Sequence, residues 1–255
     1  MSLNSSCEVY LGLTDKGEEV FWRPLKNLNP HFLVTGSAGS GKTQTLKSIA
    51  YQLNRKCGVP VLIMDFHDEY RELATYGRVL DWETGMDVNP LEVYGEHFPV
   101  RATIEEVISM FSTAFPTLGD IQLGLIRTSL EEIYRSAGYN LDARSVEEVR
   151  GLKTPEFNAL YKAIEKVGKE RGLMKEARRL LFHIENLFKL RVFGGQREFK
   201  IDKILEGGVT VVNLKPMERF RQVQSFVVLT VLRKVWNYIV TRGATGGLRL
   251  AVVLD

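Results

Sequence analysis

Apolar residues are arranged along this chain in two ways. Short unbroken runs occur at 31–35 (His-Phe-Leu-Val-Thr), 60–65 (Pro-Val-Leu-Ile-Met-Asp), 208–213 and 248–255. Runs of this length without polar interruption predict buried strands, and such strands separated by helices predict a parallel sheet with crossovers. Between about 100 and 190, apolar residues instead recur every three or four positions, which predicts helices at 104–115, 121–137, 155–167 and 171–190. In the third of these, Phe157, Leu160, Tyr161, Ile164 and Val167 share one face. A long helix is predicted at 220–240. Its apolar stretch carries Gln224, Arg233, Lys234 and Asn237, so it reads as a buried helix and not as a membrane span. Near the start, 9–14 and 18–22 flank Asp15-Lys16-Gly17 and predict a β-hairpin. The expected fold is α/β: a core with a mostly parallel sheet, an N-terminal β-hairpin and an all-helical insertion. The expected division is 1–99 for the hairpin and first part of the core, 100–190 for the insertion, and 191–255 for the second part of the core.

One loop between a predicted strand and a predicted helix carries chemistry. Gly36, Ser37, Ala38, Gly39, Ser40, Gly41, Lys42 and Thr43 form G-x-x-x-x-G-K-[ST] without a mismatch. The glycines let the backbone wrap around phosphate groups, and the following helix, entered through Gln44, adds N–H donors and its dipole. Lys42 supplies a charge for the β- and γ-phosphates, and Thr43 a hydroxyl for Mg²⁺. The pattern implies a nucleoside triphosphate ligand. The run 248–255 ends in Asp255, the form of a Walker B strand, whose carboxylate would hold Mg²⁺ directly or through water. A parallel sheet cut at an interior strand leaves backbone groups and apolar surface without partners. The expectation is therefore that the chain continues past Asp255, where many such ATPases place a water-activating glutamate.

Composition adds little to this picture. With 44 % apolar and 25 % charged residues the chain is an ordinary globular sequence. The two cysteines, Cys7 and Cys57, suggest neither a metal nor a disulfide framework, so a reduced, cytoplasmic location is the default expectation. The net charge of +3 is uneven, with the acidic excess in the first 150 residues and the basic excess after them. Lys162, Lys166 and Lys169 fall on one helix face, and Lys175, Arg178 and Arg179 extend the positive charge. These residues fit either a solvated helix face or a nucleic-acid contact.

Taken together, the motifs resemble the HerA–FtsK branch of P-loop ATPases, and HerA-like proteins in particular. The resemblance rests on the hairpin leading through Asn29-Pro-His31 into the P-loop, and on Asp65-Phe-His-Asp-Glu-Tyr70, similar to the signature D-x-H-G-E-Y with Asp68 in place of glycine. It rests also on Val88-Asn-Pro-Leu-Glu92, similar to an N-P-L element, and on a strand ending in Asn213-Leu-Lys215 before a long helix and Walker B. The resemblance implies a RecA-like core that binds ATP and Mg²⁺, and a ring, usually of six subunits, translocating on double-stranded DNA. Some relatives work beside a nuclease. It also implies that Lys42 and Asp255 are catalytic, that Thr43 and Asp255 hold Mg²⁺, and that Asp65 ends a strand beside the nucleotide. His67 and Glu69 are implied to position water or sense the γ-phosphate, unless they only form a turn. Arg219 and Arg221 are candidates for an arginine acting on a neighbouring subunit. Two alternatives stay open: a type IV secretion or conjugation ATPase, and a nucleotide-dependent switch with little turnover.

Overall fold

The computed structural model describes residues 7–26, 29–82, 87–194, 199–241 and 248–255. The chain divides into two compact units. One comprises Met1–Trp82, Lys200–Glu218 and Ala244–Asp255, and the other Glu83–Phe199 and Arg219–Gly243. The division differs from the ranges read from the sequence, because the long helix at 220–240 belongs with the helical unit.

The first unit is built on a parallel sheet. Strands β3 (Val61–Asp65), β4 (Gly77–Asp81), β5 (Val209–Asn213) and β6 (Ala251–Leu254) lie in the order β4-β5-β3-β6. Every residue of β3 and β5 is buried. This is the physical consequence of their unbroken apolar runs, since central strands of a parallel sheet are covered on both faces. Val61 pairs with Val209 and with Ala251, and Asp65 with Asn213. Leu254 lies opposite Met64, so Asp255 stands level with Asp65 at the carboxyl end of the sheet. The edge strand β4 approaches β5 so closely at Gly77 that a side chain there would collide with the Val209 carbonyl.

A hairpin of β1 (Val9–Leu13) and β2 (Glu19–Trp22) precedes helix α1 (Lys42–Arg55). Gly17 turns it with a left-handed φ of 79°, which glycine adopts at little cost. The hairpin is tied to α1 by Gln52, which accepts from Tyr10 N–H and donates to Tyr10 C=O, both at 2.9 Å. A disulfide between Cys7 and Cys57 adds a covalent tie, with the Cα atoms 4.9 Å apart. The expectation that these cysteines form no disulfide is thereby overturned. They are far apart in sequence, and only the docking of β1 against the end of α1 makes them neighbours. Cysteine usage consequently no longer argues for a reducing compartment.

Closing a loop across a separation of 50 residues restricts the unfolded chain by about 4 kcal/mol in the chain-entropy account. Reduction, or Cys7→Ser, should lower the melting temperature by roughly 10 °C. Equal melting temperatures for oxidised and reduced protein would show that the bond carries no such constraint.

A second correction concerns 31–35. The predicted buried strand is absent. Phe32 and Leu33 are exposed, Leu33 to 85 %, although the Phe32 ring lies 5.0 Å from that of Trp22. An apolar run signals a tendency to be buried, but a strand needs an aligned neighbour to hydrogen-bond with. Among the described residues none pairs with this segment.

The second unit contains α2 (Pro99–Ala114), α3 (Asp120–Ser136), α4 (Ala159–Glu170) and α5 (Met174–Lys189). The short α6 (Ile201–Leu205) belongs to the first unit, and α7 (Arg221–Thr241) to the second. Phe226 on α7 sits among Phe111, Phe115, Phe157 and Phe193, with ring centroids 4.6–6.4 Å away, and forms an aromatic core. Arg233, almost fully buried, donates to the carbonyls of Pro90 and Glu92 at 3.1 and 3.2 Å, and pairs with Glu106. Asn89 donates to Pro155 C=O at 2.7 Å, and Tyr134 donates to Leu91 C=O at 2.6 Å. The N-P-L element is thus a backbone turn whose carbonyls are all spoken for inside the helical unit. No helix among the described residues is long and apolar enough to cross a membrane.

Candidate functional site

The loop 36–43 leads directly into α1. Gly39 and Gly41 hold left-handed φ values of 76° and 91°. A Cβ at Gly36 would displace the Ser40 hydroxyl, which the serine side chain can accommodate by rotating. Gly41 is the N-cap residue of α1, so the helix opens at Lys42 and Thr43. The whole loop is exposed to solvent, while Lys42 and Thr43 are half-buried. Lys42 folds back and donates from Nζ to the Ser37 carbonyl at 2.8 Å, placing its charge inside the curve of the loop. Loop amides, of which Ser40 N–H is bonded to the Ser37 carbonyl at 3.2 Å, a helix N-terminus and the Lys42 ammonium form an arrangement suited to a phosphate chain.

The carboxyl end of the sheet carries the second part of the site. Asp65, 1 % exposed, accepts the N–H groups of His67 at 3.2 Å, Glu69 at 3.1 Å and Tyr70 at 2.9 Å. One carboxylate thereby shapes the loop that follows β3. Asp68, at the position where the HerA-like signature has glycine, takes a left-handed φ of 61°. Aspartate tolerates that region better than most residues, and its carboxylate is paired with Arg71 at 3.0 Å. The turn is kept in spite of the substitution. Arg71 also reaches Asp81 at 2.9 Å, and Asp81 accepts from Asn213 at 2.8 Å, which links the ends of β4 and β5.

The loop directs Tyr70 inward. Its hydroxyl, buried with the ring, donates to Asp255 Oδ2 at 2.6 Å. Burial first, and then the bond to Asp255, push the Tyr70 hydroxyl far above its ordinary pKa, so it stays a donor throughout the working pH range. Lys47, just inside α1, lies 5.8 Å above the Tyr70 ring and pairs with Glu72 at 3.0 Å. The start of α1, the 66–70 loop and Asp255 therefore form one connected neighbourhood. The sequence reading did not single out Tyr70. The available signal was a tyrosine bound for a core, whose O–H must find a partner there.

The remaining candidates are placed less specifically. His67 and Glu69 contribute their N–H groups to Asp65, and both are exposed. Arg219 and Arg221 are exposed at the start of α7, and Gln44 is exposed on the first turn of α1. Among the described residues no group of three or more His, Cys, Asp or Glu side chains converges as a metal site.

A glycine-built loop at a helix N-terminus, beside a parallel sheet that ends in carboxylates, defines the P-loop ATPase fold. The model of the family described as "Helicase HerA, central domain" matches residues 10–235, and the chain belongs to that family. The structure of VirB4 of Thermoanaerobacter pseudethanolicus superposes with a TM-score of 0.79 over 100 % of this chain and 69 % of that one, at 20 % identity. That likeness is one of fold. DNA import protein CedB of Sulfolobus acidocaldarius is 39 % identical over 72 residues, which amount to 27 % of this chain and 12 % of CedB. The chain thus spans a small part of that relative's length.

Proposed function

We propose that this chain is the core of an ATP-hydrolysing ring motor, of HerA type, that translocates on double-stranded DNA. The observation that supports the ATPase part of the reading is an intact P-loop at the start of α1, in the same unit as Asp255, a carboxylate at the end of β6 that accepts from Tyr70. In this reading the amides of 36–44 cradle the phosphates. Lys42 leaves the Ser37 carbonyl for the β- and γ-phosphate oxygens. The Thr43 hydroxyl and the Asp255 carboxylate would hold Mg²⁺, directly or through water. The donor set fits that ion, which prefers oxygen ligands and draws most of its shell from phosphate and water. When bound, Mg²⁺ neutralises charge on the β- and γ-oxygens. Glu69 positions the attacking water. Its N–H is engaged by Asp65, and its side chain stands in solvent.

Support for DNA as the track comes from the family, whose description names a helicase, and from the relative named as a DNA import protein. A ring of six subunits, a nuclease partner and a cytoplasmic place of work, where ATP is held, belong to the same reading. The likeness of fold to VirB4 supports a second reading, a secretion or conjugation ATPase.

The test is ATP turnover by the full chain, with and without linear duplex DNA, across a salt series. Stimulation by duplex that fades as salt rises is the expected result, because phosphate contacts release counterions. Turnover indifferent to duplex at low salt would favour the secretion ATPase. Tight ATP binding without turnover would point to a nucleotide switch.

A further inference from the structure

The exposed face of α5 differs from every other helix face in its unit. Ala177, Leu180, Leu181, Ile184 and Leu187 are buried. The exposed positions are Lys175, Arg178, Arg179, Phe182 and Lys189. At about 100° per residue these five fall within roughly 100° of arc, and at 1.5 Å per residue they span about 21 Å. The face thus carries four cations and one aromatic ring, with one carboxylate, the partly exposed Glu185, at its edge beside Lys189.

Several cations of neighbouring elements are neutralised, although Lys162 and Lys169 on α4 have no carboxylate within ion-pair distance among the described residues. Arg101 pairs with Asp142 at 2.6 Å, Arg135 with Glu131 at 3.1 Å, Arg127 with Glu105, and Lys166 with both Glu132 and Glu170. On α5, Lys189 pairs with Glu185 at 2.7 Å. Lys175, Arg178 and Arg179 have no carboxylate within ion-pair distance among the described residues. Unpaired cations on successive turns repel one another, which costs stability unless an anion arrives. Phe182 is 74 % exposed, one turn beyond Arg178 and Arg179. Its only ring neighbour among the described residues is the adjacent His183, at 6.0 Å. A bare phenyl ring set in a row of unpaired cations matches a partner that alternates anionic groups with apolar surface.

We propose that this face of α5 is a contact surface for the backbone of duplex DNA, with Lys175, Arg178 and Arg179 on phosphates and Phe182 against deoxyribose. The inference rests on the DNA-motor reading and adds the surface that holds the track. Phosphate contacts of this kind supply affinity without reading sequence. Arg178 and Arg179 suit phosphate through their planar donor forks.

The test uses the full chain and two variants, Lys175→Ala/Arg178→Ala/Arg179→Ala and Phe182→Ala. All four residues are exposed, so both variants should fold and keep wild-type ATP turnover in the absence of DNA. The triple variant should bind random-sequence duplex on the order of 10²-fold more weakly near 0.1 M salt. Its slope of log K against log salt should fall by about 2.7, which is 0.9 for each lost phosphate contact. Phe182→Ala should weaken binding with the slope unchanged. Wild-type affinity and slope in the triple variant would overturn the proposal while leaving the DNA-motor reading intact. So would a variant that binds DNA normally but no longer self-associates, since the face would then be a subunit interface. If the wild type itself neither binds duplex nor is stimulated by it, the motor reading fails and takes the proposal with it.

Discussion

Lys42→Ala is expected to reduce ATP turnover by about 10²–10³-fold, the usual cost of removing one preorganised donor from a site of developing negative charge. The reasoning is local. Lys42 is the only ionisable side chain in the loop 36–43, and its Nζ is already held inside the loop by the Ser37 carbonyl. No backbone amide can replace a full positive charge at the β- and γ-phosphates. The side chain is half-buried and makes no ion pair among the described residues, so stability should change by no more than about 0.5 kcal/mol. Steady-state turnover together with thermal melting checks both halves. A variant that binds and hydrolyses ATP as the wild type does would refute the P-loop assignment. One that merely unfolds would show that the loop holds the structure together in a way the geometry gives no sign of.

The parts of this molecule that can be read from sequence are those set by short-range rules. The P-loop is legible because glycine at Gly39 and Gly41 and a lysine one position on are required by backbone conformation and charge, both local. Strands β3 and β5 are legible because burial on both faces leaves an unbroken apolar run. The helices of the second unit were visible in their periodicity.

What was hidden depends on distant parts of the chain meeting. Strand β4 begins with glycine and arginine, and Arg78, partly exposed on this edge strand, donates from Nε to Thr210 across the sheet at 3.2 Å. The disulfide needs β1 docked on α1 before its sulfurs can meet. The segment 31–35 shows the converse error, since it is apolar enough for a strand but has no partner among the described residues. The hydrogen bond from Tyr70 to Asp255 crosses 185 residues, and no motif spacing encodes such a distance.

That hydrogen bond gives Asp65 more importance than its place in a signature suggests. Asp65→Ala is expected to cost about 3–5 kcal/mol, because three backbone N–H groups lose their acceptor in a setting where the Tyr70 N–H is buried. The melting temperature should drop by roughly 10 °C. Turnover should fall as well, since the loop that aims the Tyr70 hydroxyl at Asp255 is no longer shaped. Tyr70→Phe separates the two effects. It keeps the ring and the Asp65 bonds, and removes only the donor to Asp255 Oδ2, so stability should fall by about 1 kcal/mol. Apparent Mg²⁺ affinity during turnover should fall about 10–100-fold, the usual cost of losing a partner that orients a metal ligand. Asp65→Asn, which keeps one acceptor oxygen, should lie between wild type and alanine in melting temperature. If Tyr70→Phe loses stability but titrates with Mg²⁺ as the wild type does, Tyr70 is a packing residue and Asp255 needs no guide. If Asp65→Ala melts with the wild type, the loop is shaped by its own backbone preferences, Asp68 at its left-handed φ among them, and not by the carboxylate beneath it.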